Sequence, residues 1–192
     1  GSNADLSSVF TKAYMKGFQG NYINNESVLT MVKHFPGGGP QEDGLDPHLY
    51  SGRNQIYPGN NFNYHLKPFR EAINNGLRVI MPYYGIPVDQ TNENVAMAYN
   101  KEILTNLLRD ELDFDGVICT DWGIISGRHW GVDDLSIRER FKKSIEAGVD
   151  QYGGESSPEY VIDLVKKEEI SEERIDFSVS KILRNKFELG LF

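Results

Sequence analysis

Four apolar segments of this sequence each end in side chains that can do chemistry. Those side chains are Lys33 and His34, Tyr83 and Tyr84, Asp121 and Trp122, and Asp150 and Gln151. They supply a cation, neutral donors, phenols, carboxylates and an indole. This set suits a polyhydroxylated substrate, because the polar groups can hydrogen-bond its hydroxyls and the indole offers a flat face to a sugar ring. Asp121 directly follows the apolar run 117–120, so its carboxylate would be held rigidly enough to act as a nucleophile, a general base or a metal ligand. The alternative is a carboxylate that caps a turn or a helix.

Metal and phosphate sites are not predicted by the spacing of ligand-type residues. The histidines at positions 34, 48, 65 and 129 show neither HxxxH nor HExxH spacing, and such spacings are typical of zinc sites. The glycines 37–39 follow an apolar segment, but no GK[ST] or GxGxxG pattern accompanies them. We therefore expect no metal and no cofactor. For His34 taken alone, a buried histidine bonded to the backbone is an equally good interpretation.

The spacing of apolar residues predicts an α/β fold with parallel strands. Predicted helices cover 5–17, 64–75, 94–112, 133–147, 158–167 and 171–190, and predicted strands cover 27–33, 77–81, 117–120 and 149–151. Strands that alternate with helices of this length form parallel sheets. The side chains at the carboxyl ends of such strands meet on one face of the sheet. The first predicted strand is followed by a Gly- and Pro-rich loop that ends at residue 60. Loops of about 25 residues are often functional.

Composition limits the range of functions. The 192 residues carry 28 acidic and 20 basic side chains, a net charge of −8. Nucleic acids and anionic membranes favour clustered Lys and Arg, so we expect neither as a partner, and no apolar run approaches the ~20 residues that span a bilayer. Cys119 is the one cysteine, which excludes an intrachain disulfide and leaves cytoplasmic, periplasmic and secreted locations open. Residues 1–4 are typical of a cleaved-tag remnant, so the predicted domain is 5–192.

Several segments resemble glycoside hydrolase family 3, the β-glucosidase family. The run 33–39 (KHFPGGG) is similar to the family's KHFxG motif, and 119–123 (CTDWG) is similar to its SDW or TDW motif. The segments 13–20, 66–76, 108–116 and 181–192 resemble helices of the family's catalytic barrel, in the same order. The resemblance therefore covers nearly the whole chain.

This resemblance implies both a fold and a function. The predicted strands would be strands 5–8 of a (β/α)8 barrel, so the expected fold is the C-terminal half of a TIM-type barrel. The expected function is that of a retaining, exo-acting β-glucosidase, which removes sugars from the non-reducing end of β-linked oligosaccharides or glycosides. By the same resemblance Asp121 is the catalytic nucleophile. Lys33, His34 and Tyr83 hold the sugar in the subsite where the bond breaks, and Trp122 borders that subsite as part of its wall.

Asp46 and His48, on the long loop, allow a second interpretation. The β-N-acetylglucosaminidases of the family use a loop Asp-Ser-His dyad as acid/base. Here Pro47 replaces the serine and the gap from His34 is longer, so we favour a loop histidine beside a proline turn. The alternative is a β-N-acetylglucosaminidase-type member in which His48, oriented by Asp46, is the acid.

A half barrel also has consequences for assembly and activity. Its two open sheet edges invite pairing or covering, so we expect the chain to form homo-oligomers through these edges. A complete barrel needs eight strands and about 250 residues, and no firm acid/base candidate is identified in this sequence. We therefore expect the 192 residues alone to be nearly inactive. The alternative from another functional class is a non-catalytic sugar-binding module.

Overall fold

The computed structural model describes residues 2–192, and Gly1 of the predicted tag remnant lies outside them. The helices are α1 (Ala4–Gln19), α2 (Phe62–Asn74), a π-helix (Glu102–Glu111), α3 (Ile137–Ala147), α4 (Pro158–Lys166) and α5 (Glu172–Glu188). The strands are β1 (Met31–Phe35), β2 (Asn54–Gln55), β3 (Val79–Pro82), β4 (Ile86–Pro87) and β5 (Val117–Ile118). Helices and strands alternate along much of the chain, as the apolar pattern predicts.

The central sheet is parallel, with the strand order β1–β3–β5. Val79 of β3 pairs with Met31 on one side and with Val117 on the other. A parallel bridge from Cys119 to Gln151 extends the sheet by a fourth element. The prediction of an α/β fold with parallel strands is confirmed.

The first strand begins at Met31, not at the predicted position 27. Gln19, at the end of α1, holds the preceding residues away from the sheet. Its side-chain oxygen accepts hydrogen bonds from the N–H of Thr30 (3.1 Å) and from the Thr30 hydroxyl (2.6 Å), and its backbone carbonyl accepts one from the Ser27 hydroxyl (2.7 Å). The N–H of Val28 donates to the Phe18 carbonyl at 3.0 Å, so this donor and that of Thr30 are engaged locally and are not available to a longer strand.

The predicted helix 94–112 is wrong over its first part. Met97–Tyr99 forms a 3-10 turn, and the continuous helix begins only at Glu102. Asn100 separates the two, because its side-chain oxygen accepts the N–H of Ile103 at 3.1 Å while its amide donates to Thr91 Oγ1 at 2.7 Å. A capping side chain thus overrides the apolar periodicity.

The predicted strand 149–151 is reduced to the single bridge at Gln151. The cause is Asp150, whose carboxylate accepts the N–H of Ile118 at 2.8 Å. A side chain therefore takes a backbone donor of β5 that a longer strand would use.

Helix α1 directs much of its apolar stripe away from the core. Its buried residues include Met15, whereas Phe10 and Tyr14 are 64% and 69% exposed and line a groove of about 530 Å³ beside β1. The side chain of Asn3 accepts the N–H of Leu6 and caps this helix, and Ala4 begins it. Residues 3 and 4, assigned to a tag remnant from the sequence, therefore take part in the fold.

The core lies between the sheet and the helices. Phe35, Ile80 and Ile118 of the three strands are fully buried, and the free thiol of Cys119 is buried beside them. The long loop after β1 is folded, because β2 within it pairs in parallel with β4. Among residues 2–192, no helix has the length and apolar character needed to cross a membrane.

Candidate active site

Asp121 lies just beyond β5, at the carboxyl end of the sheet, and three donors surround its carboxylate. Nε2 of His34 lies 3.0 Å from Oδ2, while the Tyr84 hydroxyl (2.9 Å) and the N–H of Trp122 (2.7 Å) point at Oδ1. The Asp121 side chain is only 13% exposed. Hydrogen bonds therefore fix the orientation of both carboxylate oxygens at the carboxyl end of the sheet.

The parallel register explains how these groups meet. His34 belongs to β1, Tyr84 follows β3 and Asp121 follows β5, and in parallel strands the carboxyl ends lie at the same edge. The Tyr84 hydroxyl is also 2.8 Å from the carbonyl oxygen of Trp122, so it shares one proton between two acceptors.

Tyr83, the phenol chosen from the sequence, does not contact Asp121 through its hydroxyl. Its ring lies 4.9 Å from the ring of His34, and its oxygen accepts a hydrogen bond from the Gln41 amide. Gly38 leaves room for this ring, since a Cβ there would be 3.2 Å from Tyr83 Cζ. Burial raises the pKa of Tyr83, so it stays a neutral phenol. The neighbouring Tyr84 takes the position against the carboxylate instead.

His34 is a neutral donor at this site. Burial lowers its pKa and outweighs the nearby Asp121 charge, which acts in the opposite direction, and the positive charge of Lys33 lowers that pKa further. Lys33 itself is exposed. Within residues 2–192 no carboxylate lies within 4 Å of its ammonium group, and the lysine lines the groove beside β1 together with Phe10 and Tyr14.

Trp122 presents an open aromatic surface beside the carboxylate and is 56% exposed. The backbone of Gly153 and Gly154 packs against both rings of the indole. A Cβ on Gly153 would come within 2.7 Å of Cε3, and one on Gly154 would overlap Cδ1. The N–H of Gly153 donates to Thr120 Oγ1 at 2.9 Å, which fastens this backbone to the residue before Asp121.

The Asp46–His48 pair lies closer to the site than its loop position predicts. His48 Nδ1 is 2.6 Å from an Asp46 oxygen that also accepts the His48 N–H, and these hydrogen bonds lower the pKa of Asp46. The His48 ring packs edge-on against Tyr84 at 4.8 Å. Trp130 anchors this turn, because its indole N–H donates to the Pro47 carbonyl at 2.9 Å. One aromatic ring therefore separates His48 from Asp121.

Asp150, a further strand-end carboxylate in the sequence, does not join the site. Its side chain is fully buried and accepts from Arg109 (2.6 Å), the Ile118 N–H (2.8 Å) and the Ser178 hydroxyl (2.7 Å). Arg109 also donates to the carbonyl of Gly116, just before β5. Asp150 is thus bound toward the start of β5, whereas Asp121 lies at its end.

Two side chains of the site carry no strong signal in the sequence. Arg128 donates to the Trp122 carbonyl at 3.3 Å and lies over the Tyr84 ring at 5.2 Å. Glu155 accepts the N–H groups of Ile125 and Ser126. Both come from loops without a recognisable motif. In the part of the chain that the structure describes, no cluster of three metal-ligating side chains is present.

Known proteins of one family resemble this chain. Residues 1–185 match the profile described as "Glycosyl hydrolase family 3 N terminal domain". "Probable beta-glucosidase C" of Aspergillus flavus is 49% identical over 202 residues, which cover 100% of this chain and 32% of the relative. "Periplasmic beta-glucosidase/beta-xylosidase" of Dickeya chrysanthemi is 35% identical over 100% of this chain and 33% of its own length. The chain thus spans about a third of the length of these relatives.

Solved structures give the same result. The beta-glucosidase from Listeria innocua in complex with isofagomine has a TM-score of 0.84 and 26% identity, covering 98% of this chain and 26% of its own. A glycoside hydrolase family 3 beta-N-acetylglucosaminidase from Paenibacillus sp. has a TM-score of 0.81 and 26% identity, covering 99% of this chain and 36% of its own.

Proposed function

Because this chain belongs to glycosyl hydrolase family 3, we propose that it supplies the nucleophile of a retaining, exo-acting β-glucosidase. The observation that carries the proposal is the carboxylate of Asp121, which His34, Tyr84 and the N–H of Trp122 hold at the end of a parallel sheet. Retaining hydrolysis needs such a fixed carboxylate to attack the anomeric carbon. The substrate is a β-linked oligosaccharide or glycoside, cleaved at its non-reducing end.

In this reaction an Asp121 oxygen forms a bond to the anomeric carbon while the glycosidic oxygen leaves and takes a proton from an acid/base group. In retaining enzymes that group is a carboxyl about 5 Å from the nucleophile, and it later removes a proton from the water that releases the sugar. We assign Lys33, His34, Tyr83 and Trp122 to the sugar subsite, with the exposed indole as its flat wall.

The test uses the full-length enzyme that contains this chain and follows the release of 4-nitrophenol from its β-glucoside. Wild-type enzyme should turn the substrate over, and Asp121→Asn should abolish the reaction. Normal turnover by this variant would rule out the nucleophile. Binding of glucosides without any turnover by wild type would favour a non-catalytic sugar-binding module.

A second candidate function is that of a β-N-acetylglucosaminidase in which His48 is the acid/base and Asp46 orients it. The observation in its favour is the 4.8 Å contact of the His48 ring with Tyr84, whose hydroxyl reaches Asp121. The two functions differ in a direct assay. The glucosaminidase predicts preferred hydrolysis of 4-nitrophenyl β-N-acetylglucosaminide and its loss in His48→Ala, whereas the glucosidase predicts activity on the glucoside that survives this substitution.

We further propose that the four parallel β elements are strands 5–8 of a (β/α)8 barrel. The order β1–β3–β5 and its extension at Gln151 support this assignment, since a closed barrel needs eight parallel strands. The 192 residues alone should then release almost no nitrophenol, because the sugar would lack the contacts of the other half. Robust release by the purified chain, abolished by Asp121→Asn, would contradict this proposal.

Self-association of the chain is part of the same proposal. The open edge at β1 lies beside the exposed residues Phe10 and Tyr14 of α1, and exposed apolar patches next to a free edge promote pairing. Sedimentation at high concentration should therefore show oligomers, and Phe10→Ser with Tyr14→Ser should shift the chain to a monomer. A monomeric wild type would contradict the proposal.

A further inference from the structure

Trp130 belongs to the loop that follows β5 and Asp121, and its side chain reaches the long loop after β1. We propose that Trp130 is a positioning residue, which holds the turn 46–48 against the Tyr84 ring and thereby keeps the Tyr84 hydroxyl on Asp121. This inference rests on the proposed role of Asp121 as the nucleophile. Its consequence is that a buried side chain of another loop contributes to the rate of the reaction.

The surroundings of Trp130 confine it before it meets the turn. The residue is 7% exposed, and its carbonyl accepts the N–H of Ala96 at 2.9 Å. Gly131, the next residue, has a φ of +79°, and a Cβ there would be 2.6 Å from the carbonyl oxygen of Asn94. The Tyr50 ring packs edge-on against the indole at 5.6 Å. The backbone of Trp130 is therefore fixed, and a neighbouring ring restricts its indole.

The turn is held from two sides. The indole N–H of Trp130 donates to the Pro47 carbonyl at 2.9 Å, in a buried hydrogen bond. On the other side, the backbone of Gly52 lies so close that a Cβ there would overlap the Asp46 carbonyl oxygen. Within the turn, the Asp46 carboxylate accepts the N–H of His48 at 2.9 Å. Because the turn is bonded internally, it moves as a unit, and the hydrogen bond from Trp130 sets its distance from the sheet.

The Tyr84 ring connects the turn to the proposed nucleophile. The His48 ring packs edge-on against it at 4.8 Å, and the Arg128 guanidinium lies over it at 5.2 Å. The Tyr84 hydroxyl has two acceptors, Asp121 Oδ1 at 2.9 Å and the Trp122 carbonyl at 2.8 Å, but only one proton. A small rotation of the ring would leave that proton with the carbonyl. Asp121 would then lose an oriented donor, which is costly in an active site.

The first experiment detects the anchor without any substrate. Nuclear magnetic resonance of the 192-residue chain resolves the indole N–H signals of Trp122 and Trp130, and Trp122→Phe assigns them. The Trp130 signal should exchange with solvent more slowly, because its N–H is buried and hydrogen-bonded while Trp122 is exposed. Equal exchange rates of the two signals would overturn the inference.

Displacing the turn should be visible at the same signal. Gly52→Ala places a Cβ against the Asp46 carbonyl, so it should shift the Trp130 signal. The matched control is Gly17→Ala, since neither glycine has a positive φ and a Cβ on Gly17 meets open space. This control should leave the Trp130 signal in place. If Gly52→Ala stays folded by circular dichroism and also leaves it in place, the indole does not hold the turn.

The second experiment measures kcat and KM of the full-length enzyme on 4-nitrophenyl β-glucoside, corrected for the folded fraction. Trp130→Phe retains a ring and loses the donor to Pro47, so kcat should fall about tenfold, the effect of one hydrogen bond, while KM changes less than twofold. The matched control Thr105→Val removes a hydrogen bond of the same length, to the Ala147 carbonyl, and should change neither constant more than twofold. An unchanged kcat in Trp130→Phe would overturn the inference.

A double-mutant cycle separates positioning from a general loss of structure. In a Tyr84→Phe background, where the hydroxyl is absent, Trp130→Phe should lower kcat less than twofold further. Tenfold losses in both backgrounds would show that Trp130 does not act through Tyr84. If Trp130→Phe does not fold, His48→Ala removes the ring contact instead and should lower kcat about fivefold without abolishing it. His48→Phe should recover most of this loss, and equal losses in both His48 variants would overturn the inference.

The two proposals can fail separately. If wild-type enzyme does not hydrolyse the glucoside, or if Asp121→Asn retains normal turnover, the proposed function fails, and the effect of Trp130 on the reaction fails with it. The exchange rate and the shift of the Trp130 signal still decide whether this residue holds the turn. If Asp121→Asn abolishes turnover but Trp130→Phe behaves like wild type, the nucleophile stands and only the positioning role is wrong.

Discussion

Asp121 and Asp150 each follow an apolar segment of the parallel sheet, and each accepts hydrogen bonds from three donors. The donors at Asp121 are neutral and its side chain is 13% exposed, whereas Asp150 is fully buried and faces the guanidinium of Arg109 at 2.6 Å. A carboxylate held by neutral donors keeps its charge available to a reacting carbon. A carboxylate that is paired with a buried arginine, as Asp150 is, has a structural role instead.

The largest effect expected from this comparison is on catalysis at Asp121. In the full-length enzyme, Asp121→Asn should lower kcat on 4-nitrophenyl β-glucoside by about four to six orders of magnitude, the range of losses seen when a nucleophile or its partner is removed. The midpoint of thermal unfolding should change little, because the amide retains most contacts. A loss of activity that merely parallels a loss of folded protein would remove the distinction between the two carboxylates.

Asp150→Asn should act on stability instead. Removing the carboxylate leaves Arg109 uncompensated, and Arg174 at 3.7 Å loses the same partner. Breaking a buried ion pair in this way costs about 3–5 kcal/mol of unfolding free energy. Urea unfolding of the 192-residue chain measures this cost. Asp150→Asn combined with Arg109→Met should recover part of it, since the nearer of the two unpaired charges is then gone. A destabilisation below about 1 kcal/mol would show that the pair does not stabilise the fold.

Tyr84→Phe sharpens the comparison by removing one neutral donor from Asp121 Oδ1. We expect kcat/KM to fall about a hundredfold, the lower end of the loss measured when one oriented donor is removed from an active site. Tyr83→Phe is the matched variant, because that hydroxyl pairs with Gln41 and not with Asp121. Its effect should be confined to KM and be less than about fivefold. The reverse order would show that the hydroxyl of Tyr83, and not that of Tyr84, supports the reaction at Asp121.

The smallest effect expected is on the pH dependence of stability. Burial lowers the pKa of His34 below its usual value of about 6.5, so below that pH the unfolded chain binds more protons than the folded one. Stability should therefore fall as pH decreases through about 6.5. Burial also lowers the pKa of His65 and His129, so His34→Asn should flatten only part of this slope in urea unfolding between pH 5 and 7. An unchanged slope would mean that His34 is not held neutral.

Much of the fold follows from the sequence because apolar periodicity reports which residues are buried. The helices α2 to α5 and the parallel order lie close to their predicted places. The errors occur where a polar side chain captures backbone groups, as Gln19 does before β1 and Asn100 does before the π-helix. Such captures depend on contacts between distant or irregular segments, which periodicity does not contain.

The sequence predicted that the candidate site residues lie at one edge of the sheet, but it predicted only part of the contacts among them. Asp121, His34 and Trp122 lie together because parallel strand ends share one edge of the sheet. The choice between Tyr83 and Tyr84 depends on the local turn after β3. The approach of His48 to Tyr84 depends on the anchor from Trp130 to the loop at Pro47. No pattern within either segment reports these contacts.

The buried thiol of Cys119, two residues before Asp121, can measure how often the sheet opens. Burial and the nearby Asp121 charge raise its pKa to about 11, and the thiolate is the form that reacts with disulfide reagents. Because the thiol is buried, a reagent can reach it only when this segment separates briefly from its neighbours. Because Cys119 is the sole cysteine, one reaction rate on the unmodified chain reports the opening of this segment. When reclosing is faster than labelling, that rate gives the equilibrium constant of opening, and when labelling is faster it gives the opening rate. A glycoside bound at Asp121 should slow this rate in proportion to its occupancy.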